Sequence, residues 1–78
     1  MDPISLIKEA RELMENTHSY DSEIARKIDA TLDGLKEGKV YAETFYTNLL
    51  YDALYLFEHI NCEETEIYQK LDKYLEGK

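Results

Sequence analysis

One cysteine, one proline and three glycines in 78 residues exclude several architectures at once. A lone Cys62 cannot make a disulfide framework. Sheets with many turns use more Gly and Pro than this, whereas helices tolerate such a composition. Basic residues are also scarce, 9 against 17 acidic, for a net charge of −8. That opposes direct binding to a nucleic-acid backbone or to anionic lipid, because both need Lys and Arg to displace counterions. An acidic surface can instead meet a basic partner, or serve solubility alone. Long apolar runs are missing too. The most apolar stretch, residues 49–57, is interrupted by Asp52 and is far short of the ~20 residues that span a bilayer. Met1, Asp2, Pro3 and Ile4 provide neither the basic start nor the apolar core of a signal peptide. The expectation is a cytoplasmic protein without membrane insertion.

What is present is helical patterning. A chain of 78 residues is one domain, and at that size it buries roughly 60% of its unfolded surface. Little room remains beside the core for a catalytic pocket, which favours function on an outer surface. Asp2 can cap a first helix with Pro3 in its first position. Leu6, Ile7, Ala10, Leu13 and Met14 then recur at three- and four-residue steps. Residues 16–21 are rich in side chains that bond the local backbone, as turns are. Ser19, Asp21 or Ser22 can cap the second helix, whose stripe is Ile24, Ala25, Ile28, Thr31, Leu32 and Leu35. Gly38 suits the left-handed position after it, while Gly34 inside its last turn costs stability. The third stripe is the most apolar: Ala42, Phe45, Tyr46, Leu49, Leu50, Ala53, Leu54, Phe57 and Ile60. Asn61 can end that helix, or cap the next one with Glu64 at capping-box spacing. Ile67, Tyr68, Leu71, Tyr74 and Leu75 form the fourth stripe. The pattern predicts helices over about 3–16, 22–37, 40–60 and 63–76 in a single domain, 1–78. With short connections this is an all-α, antiparallel up-down four-helix bundle.

Candidate chemistry is incomplete wherever it is sought. Glu15 and His18 have half of a di-metal carboxylate spacing, but His59 has Leu56, not Glu, three residues before it. His59 and Cys62 are two potential zinc ligands where a closed site needs four. Two histidines at separate helix ends do not suggest a nucleophile held by a base and a third group. The glycines at 34, 38 and 77 stand apart, so no phosphate loop exists. No catalytic, cofactor-binding or metal residue is assigned, and a non-enzyme is expected.

The seven tyrosines are more informative. Tyr46 falls in the third stripe. At 100° per residue, Tyr51 and Tyr55 point away from its Leu49, Ala53 and Ile60 face, beside Thr44 and Asn48. Tyrosine is enriched at interfaces because it offers large contact area at low entropy cost. Asn48, Tyr51, Asp52 and Tyr55 are therefore candidates for a partner-binding or self-association stripe, with His59 as a further contact. A helix apolar on two faces usually has two neighbours, so the same tyrosines can instead flank adjacent helices, or lie partly exposed as single aromatics often do.

The helix map, with the polar turn His18, Ser19, Tyr20 and Asp21, the second-helix ending Leu35, Lys36, Glu37 and Gly38, and a long third helix running from Phe45 through Leu49, Leu50 and Tyr51 to Phe57, resembles the immunity proteins of pediocin-like bacteriocins. The resemblance extends from about Leu6 to Leu75 and includes the Tyr68 to Leu75 segment as fourth helix. It implies a cytosolic antiparallel four-helix bundle without catalytic residues, which protects a producing cell by recognising the bacteriocin-engaged mannose permease from inside. Three functional expectations follow: a binding or inhibitory protein of that kind, which docks on a protein target; an acidic inhibitor from a phage or mobile element that mimics nucleic-acid charge against a basic target such as a nuclease; and a structural homodimer paired through the third helix.

Overall fold

The computed structural model describes residues 2–18 and 22–77. Four helices follow in order: α1 (Pro3–Asn16), α2 (Glu23–Lys36), α3 (Glu43–His59) and α4 (Glu66–Glu76). Among the described residues there is no strand. The all-α four-helix expectation therefore holds.

Local chemistry sets the helix ends. Asp2 caps α1, its carboxylate accepting from the Ile4 N–H at 3.2 Å, with Pro3 at the first position. Ser22 takes the cap of α2 and accepts from the Ala25 N–H at 3.1 Å. The other cap candidates, Ser19 and Asp21, lie outside the described residues, as does Tyr20 of the polar turn. Gly38 stands at φ 91°. Around it the Lys39 N–H reaches the Gly34 carbonyl at 2.9 Å and the Gly38 N–H reaches that of Leu35 at 3.1 Å, a Schellman motif. Asn61, at φ 61°, ends α3 in the same way, with Cys62 N–H on the Phe57 carbonyl at 2.8 Å.

Two helices start later than the sequence pattern suggests. α3 begins at Glu43 and not near residue 40, because Ala42 is extended (φ −69°, ψ 152°) and supplies no side-chain cap. α4 begins at Glu66 and not near 63. Asn61 is committed to the left-handed end of α3, so Thr65 becomes the cap and accepts from the Tyr68 N–H. Of the two roles open to Asn61, it ends α3, and Thr65 rather than an Asn61–Glu64 box caps α4. The α2 limits shift by one residue at each end, 23–36 in place of 22–37, and α3 stops at 59 in place of 60.

The core is one cluster. Leu6, Ile7, Ala10 and Met14 of α1 meet Leu49, Leu50, Ala53, Leu54 and Phe57 of α3, with Ile67, Leu71 and Leu75 from α4. From α2 come Ala25 and Ile28, besides the buried Thr31, whose hydroxyl donates to the Lys27 carbonyl at 2.8 Å. α1 and α3 pack on each other and each also touches α2 and α4, whereas α2 and α4 do not touch. The cross-section is thus a flattened rhombus with α1–α3 as its short diagonal, which agrees with Cα extents of 34 × 29 × 15 Å. Alanines 10 and 53, both fully buried, suit close helix approach. The molecule has two broad sides, one showing the outer face of α1 and the other that of α3.

Candidate functional site

The middle of α3 has few charges, while exposed Glu43 and Glu58 stand near its two ends. Between residues 44 and 57 it carries a single charged residue, Asp52, although a third of the whole chain is charged. Depletion of charge together with aromatic enrichment is the compositional mark of an interface core. The structure divides the five candidate residues of this helix into a centre and two flanks. Asn48, Tyr55 and His59 are exposed, Tyr55 at 60%. Tyr51 leans towards α4, half-buried, and its hydroxyl donates to the Leu75 carbonyl at 3.4 Å. Its ring lies parallel to that of Tyr55, centroids 6.2 Å apart and 25° between planes. Asp52 leans towards α2, where its carboxylate lies 4.0 Å from the Lys27 ammonium. Tyr51 thus flanks a neighbouring helix, and Tyr55 stands free of the core.

The edges of α3 and α1 are closed by different chemistry. On the α4 side of α3, the Tyr68 hydroxyl donates to Glu58 at 2.7 Å. That hydrogen bond to a carboxylate is the main reason that the Tyr68 phenol is pushed up to about 12, with burial and the negative charges of Glu58, Asp72 and Glu63 adding to it. The two contacts, 51 with 75 and 58 with 68, run in opposite numerical order along α3 and α4. At the α1 edges the contacts are ion pairs. Arg11 grips Asp29 of α2 through Nε at 2.8 Å and a second nitrogen at 3.2 Å, and also reaches Glu15 at 2.8 Å. These hydrogen bonds, Asp29 first, raise its already high pKa. Lys70 of α4 donates to Glu9 at 3.0 Å, which raises the lysine pKa likewise.

Two apolar residues around the start of α3 lie outside the core, against the periodic pattern. Ala42 and Phe45 were placed in the core stripe, yet Ala42 is exposed and Phe45 is 40% exposed. Phe45 stacks on Tyr41 with centroids 4.8 Å apart and 19° between planes. The Tyr41 hydroxyl in turn sits over Gly34 where a side chain would begin. These rings form one wall of a groove of about 490 Å³ between α2 and α3, shared with Lys27, Lys39, Asn48 and Asp52. A periodic count cannot detect this, because Phe45 lies only about 40° from Leu49 around the helix. The signal available was the Gly34, unexplained inside a helix. A larger groove, about 710 Å³, follows the α1–α2 seam over Ile4, Leu32 and Leu35 and is bridged by the Arg11–Asp29 pair.

The residues weighed for metal chemistry are dispersed. Glu15 is engaged by Arg11, His18 is exposed at φ 61° after α1, and His59 is exposed in the last turn of α3. Among the described residues no three His, Cys, Asp or Glu side chains gather as a metal site, and no helix is long and apolar enough to cross a membrane. No family model matches the chain, and no curated protein or solved structure does either.

Proposed function

We propose that the chain is a cytoplasmic, non-catalytic binding protein that docks on a protein target through the outer face of α3. The observation that carries this reading is the exposed Tyr55, 60% open to solvent and stacked on Tyr51, beside the exposed and uncharged Asn48. Asn48, Tyr55 and His59 form the centre of the contact, and Tyr51 and Asp52 are its half-buried margins. Bacteriocin immunity is the specific form of this proposal, and the four-helix architecture is compatible with it.

A photo-crosslinking residue at position 55 tests the docking face, with the same group at exposed Arg26 on α2 as control. Adducts at 55 and not at 26 support the face; equal labelling at both positions, or none, removes it. Expression in a bacteriocin-sensitive strain tests the specific form, which unchanged sensitivity would eliminate. The acidic surface supports a second reading, an inhibitor acting as a nucleic-acid charge mimic: Glu58, Glu63 and Asp72 concentrate negative charge around Tyr68. Charge-led binding weakens steeply between ~50 and ~200 mM salt, and an aromatic contact does not. Light scattering after size exclusion addresses the homodimer: a dimer lost on Tyr55→Ala would assign the same face to self-association.

A further inference from the structure

The groove between α2 and α3 combines stacked rings with lysines in a chain that has few basic residues. Its volume, about 490 Å³, lies within the ~300–1,000 Å³ span of small-ligand sites. The 40% exposure of Phe45 leaves ring surface uncovered on the Tyr41–Phe45 stack. This wall is anchored: the Tyr41 hydroxyl occupies the space over Gly34, a residue type that a helix otherwise disfavours. Lys27 and Lys39, two of nine basic residues, line the same groove, and the exposed Asn48 adds an amide that can donate and accept. Asp52, 4.0 Å from Lys27, offsets part of the positive charge.

We propose that this groove binds small planar aromatic anions. The ring stacks on Phe45, and a carboxylate, sulfonate or phosphate substituent is drawn to Lys39 and Lys27. The inference goes beyond the docking of a protein on α3 and does not depend on it.

The test uses 2-naphthoate as probe on the ¹⁵N-labelled full chain, followed by amide chemical shifts up to about 10 mM ligand, which reaches affinities in the millimolar range. Saturable shifts are expected at Lys39, Tyr41, Phe45 and the Asn48 side chain. Removing one exposed charge in Lys39→Ala should weaken binding about threefold. Losing the stacking partner in Phe45→Leu should weaken it about fivefold. Asp52→Asn removes the opposing charge, so it should tighten binding. Tyr55→Ala should leave it unchanged, although Tyr55 is the most exposed ring of the proposed docking face, which separates the two sites. The proposal is overturned if nothing saturates, or if the neutral naphthalene-2-carboxamide binds as tightly. Equal binding of inorganic phosphate at the same amides, or insensitivity to both Lys39→Ala and Phe45→Leu, would also overturn it.

Discussion

Gly34→Ala should destabilise this protein, against the usual expectation for a helix. In a solvent-facing helix interior the exchange gains about 1 kcal/mol from propensity. Gly34, however, is buried in the last turn of α2 under the Tyr41 ring. An added methyl carbon would coincide with the Tyr41 hydroxyl and would also lie 3.2 Å from the ring carbon that bears it and 3.1 Å from the Lys39 side chain. Tyr41 must then shift, which strains its stack on Phe45. Overpacking of this kind costs about 1–3 kcal/mol, so the net loss is about 1 kcal/mol once the propensity gain is subtracted. In a domain of this size that lowers the melting temperature by about 4–8 °C. The diagnostic is the sign in a second background. With Tyr41→Ala the obstruction is gone, and Gly34→Ala should then raise stability by about 1 kcal/mol. Urea unfolding of the four proteins, followed by circular dichroism at 222 nm, measures the cycle. A Gly34→Ala protein more stable than wild type would refute the seating of Tyr41 over the glycine, and with it the wall of the groove.

The Tyr68 phenol, pushed up to about 12 chiefly by its hydrogen bond to Glu58, should fall towards the usual value near 10 in Glu58→Gln, as read by absorbance at 295 nm. Because the folded-state pKa is raised, the stabilisation by this bond is complete below pH ~10 and is lost as pH rises through about 12. Asn61→Gly relieves a non-glycine residue at φ 61° and should stabilise by roughly 0.5 kcal/mol, since the relief exceeds the extra freedom of glycine in the unfolded chain; a loss in urea unfolding would contradict that account of the α3 end. Phe57 is fully buried at the centre of the cluster, and Phe57→Ala should cost about 3–5 kcal/mol, much of the whole stability of a small domain; a cooperative transition within 1 kcal/mol of wild type, measured the same way, would show that α3 is not the central element.

The parts of the fold that were legible in the sequence depend on local rules. Asp2 with Pro3 and Gly38 each declare a helix end through one residue type and are found in that role, whereas the sequence offers α2 three possible caps, Ser19, Asp21 and Ser22, of which Ser22 is the one used. The apolar stripes name nearly all of the core, because a 3.6-residue period needs no knowledge of neighbours. The misplacements come from residues with two local options. Asn61 can cap a helix or end one, and the choice falls to the Cys62–Phe57 bond that closes α3. Phe45 has the character and nearly the angle of a core residue, but it lies in the first turn of α3, where Tyr41 covers it in place of the core. At the candidate site, period alone separates Tyr55 from the core but cannot apportion Tyr51 to α4 or Asp52 to α2. That requires knowing that α3 lies between those two helices.

The placement of α3 also bears on why a binding face would be built there. A partner recovers more binding energy from side chains that are already held than from side chains it must order. α3 touches all three other helices, and its core side is closed by Leu49, Leu50, Ala53, Leu54 and Phe57. α2 is held more loosely: its buried positions are Ala25, Ile28, Thr31 and Gly34, and its larger Leu32 and Leu35 are only half-buried, with a groove along each of its seams. Tyr51 is fixed from below by the core and from the side by the Leu75 carbonyl, and it supports the parallel ring of Tyr55. The outward row Asn48, Tyr55 and His59 is therefore displayed on one of the two helices that pack against all the others. Exposed ion pairs such as Arg11–Asp29 contribute only ~0–1 kcal/mol and weaken with salt. The hold on α3 comes instead from buried apolar area, which salt does not screen, so this face keeps its shape across the ionic conditions under which the two binding readings are to be distinguished.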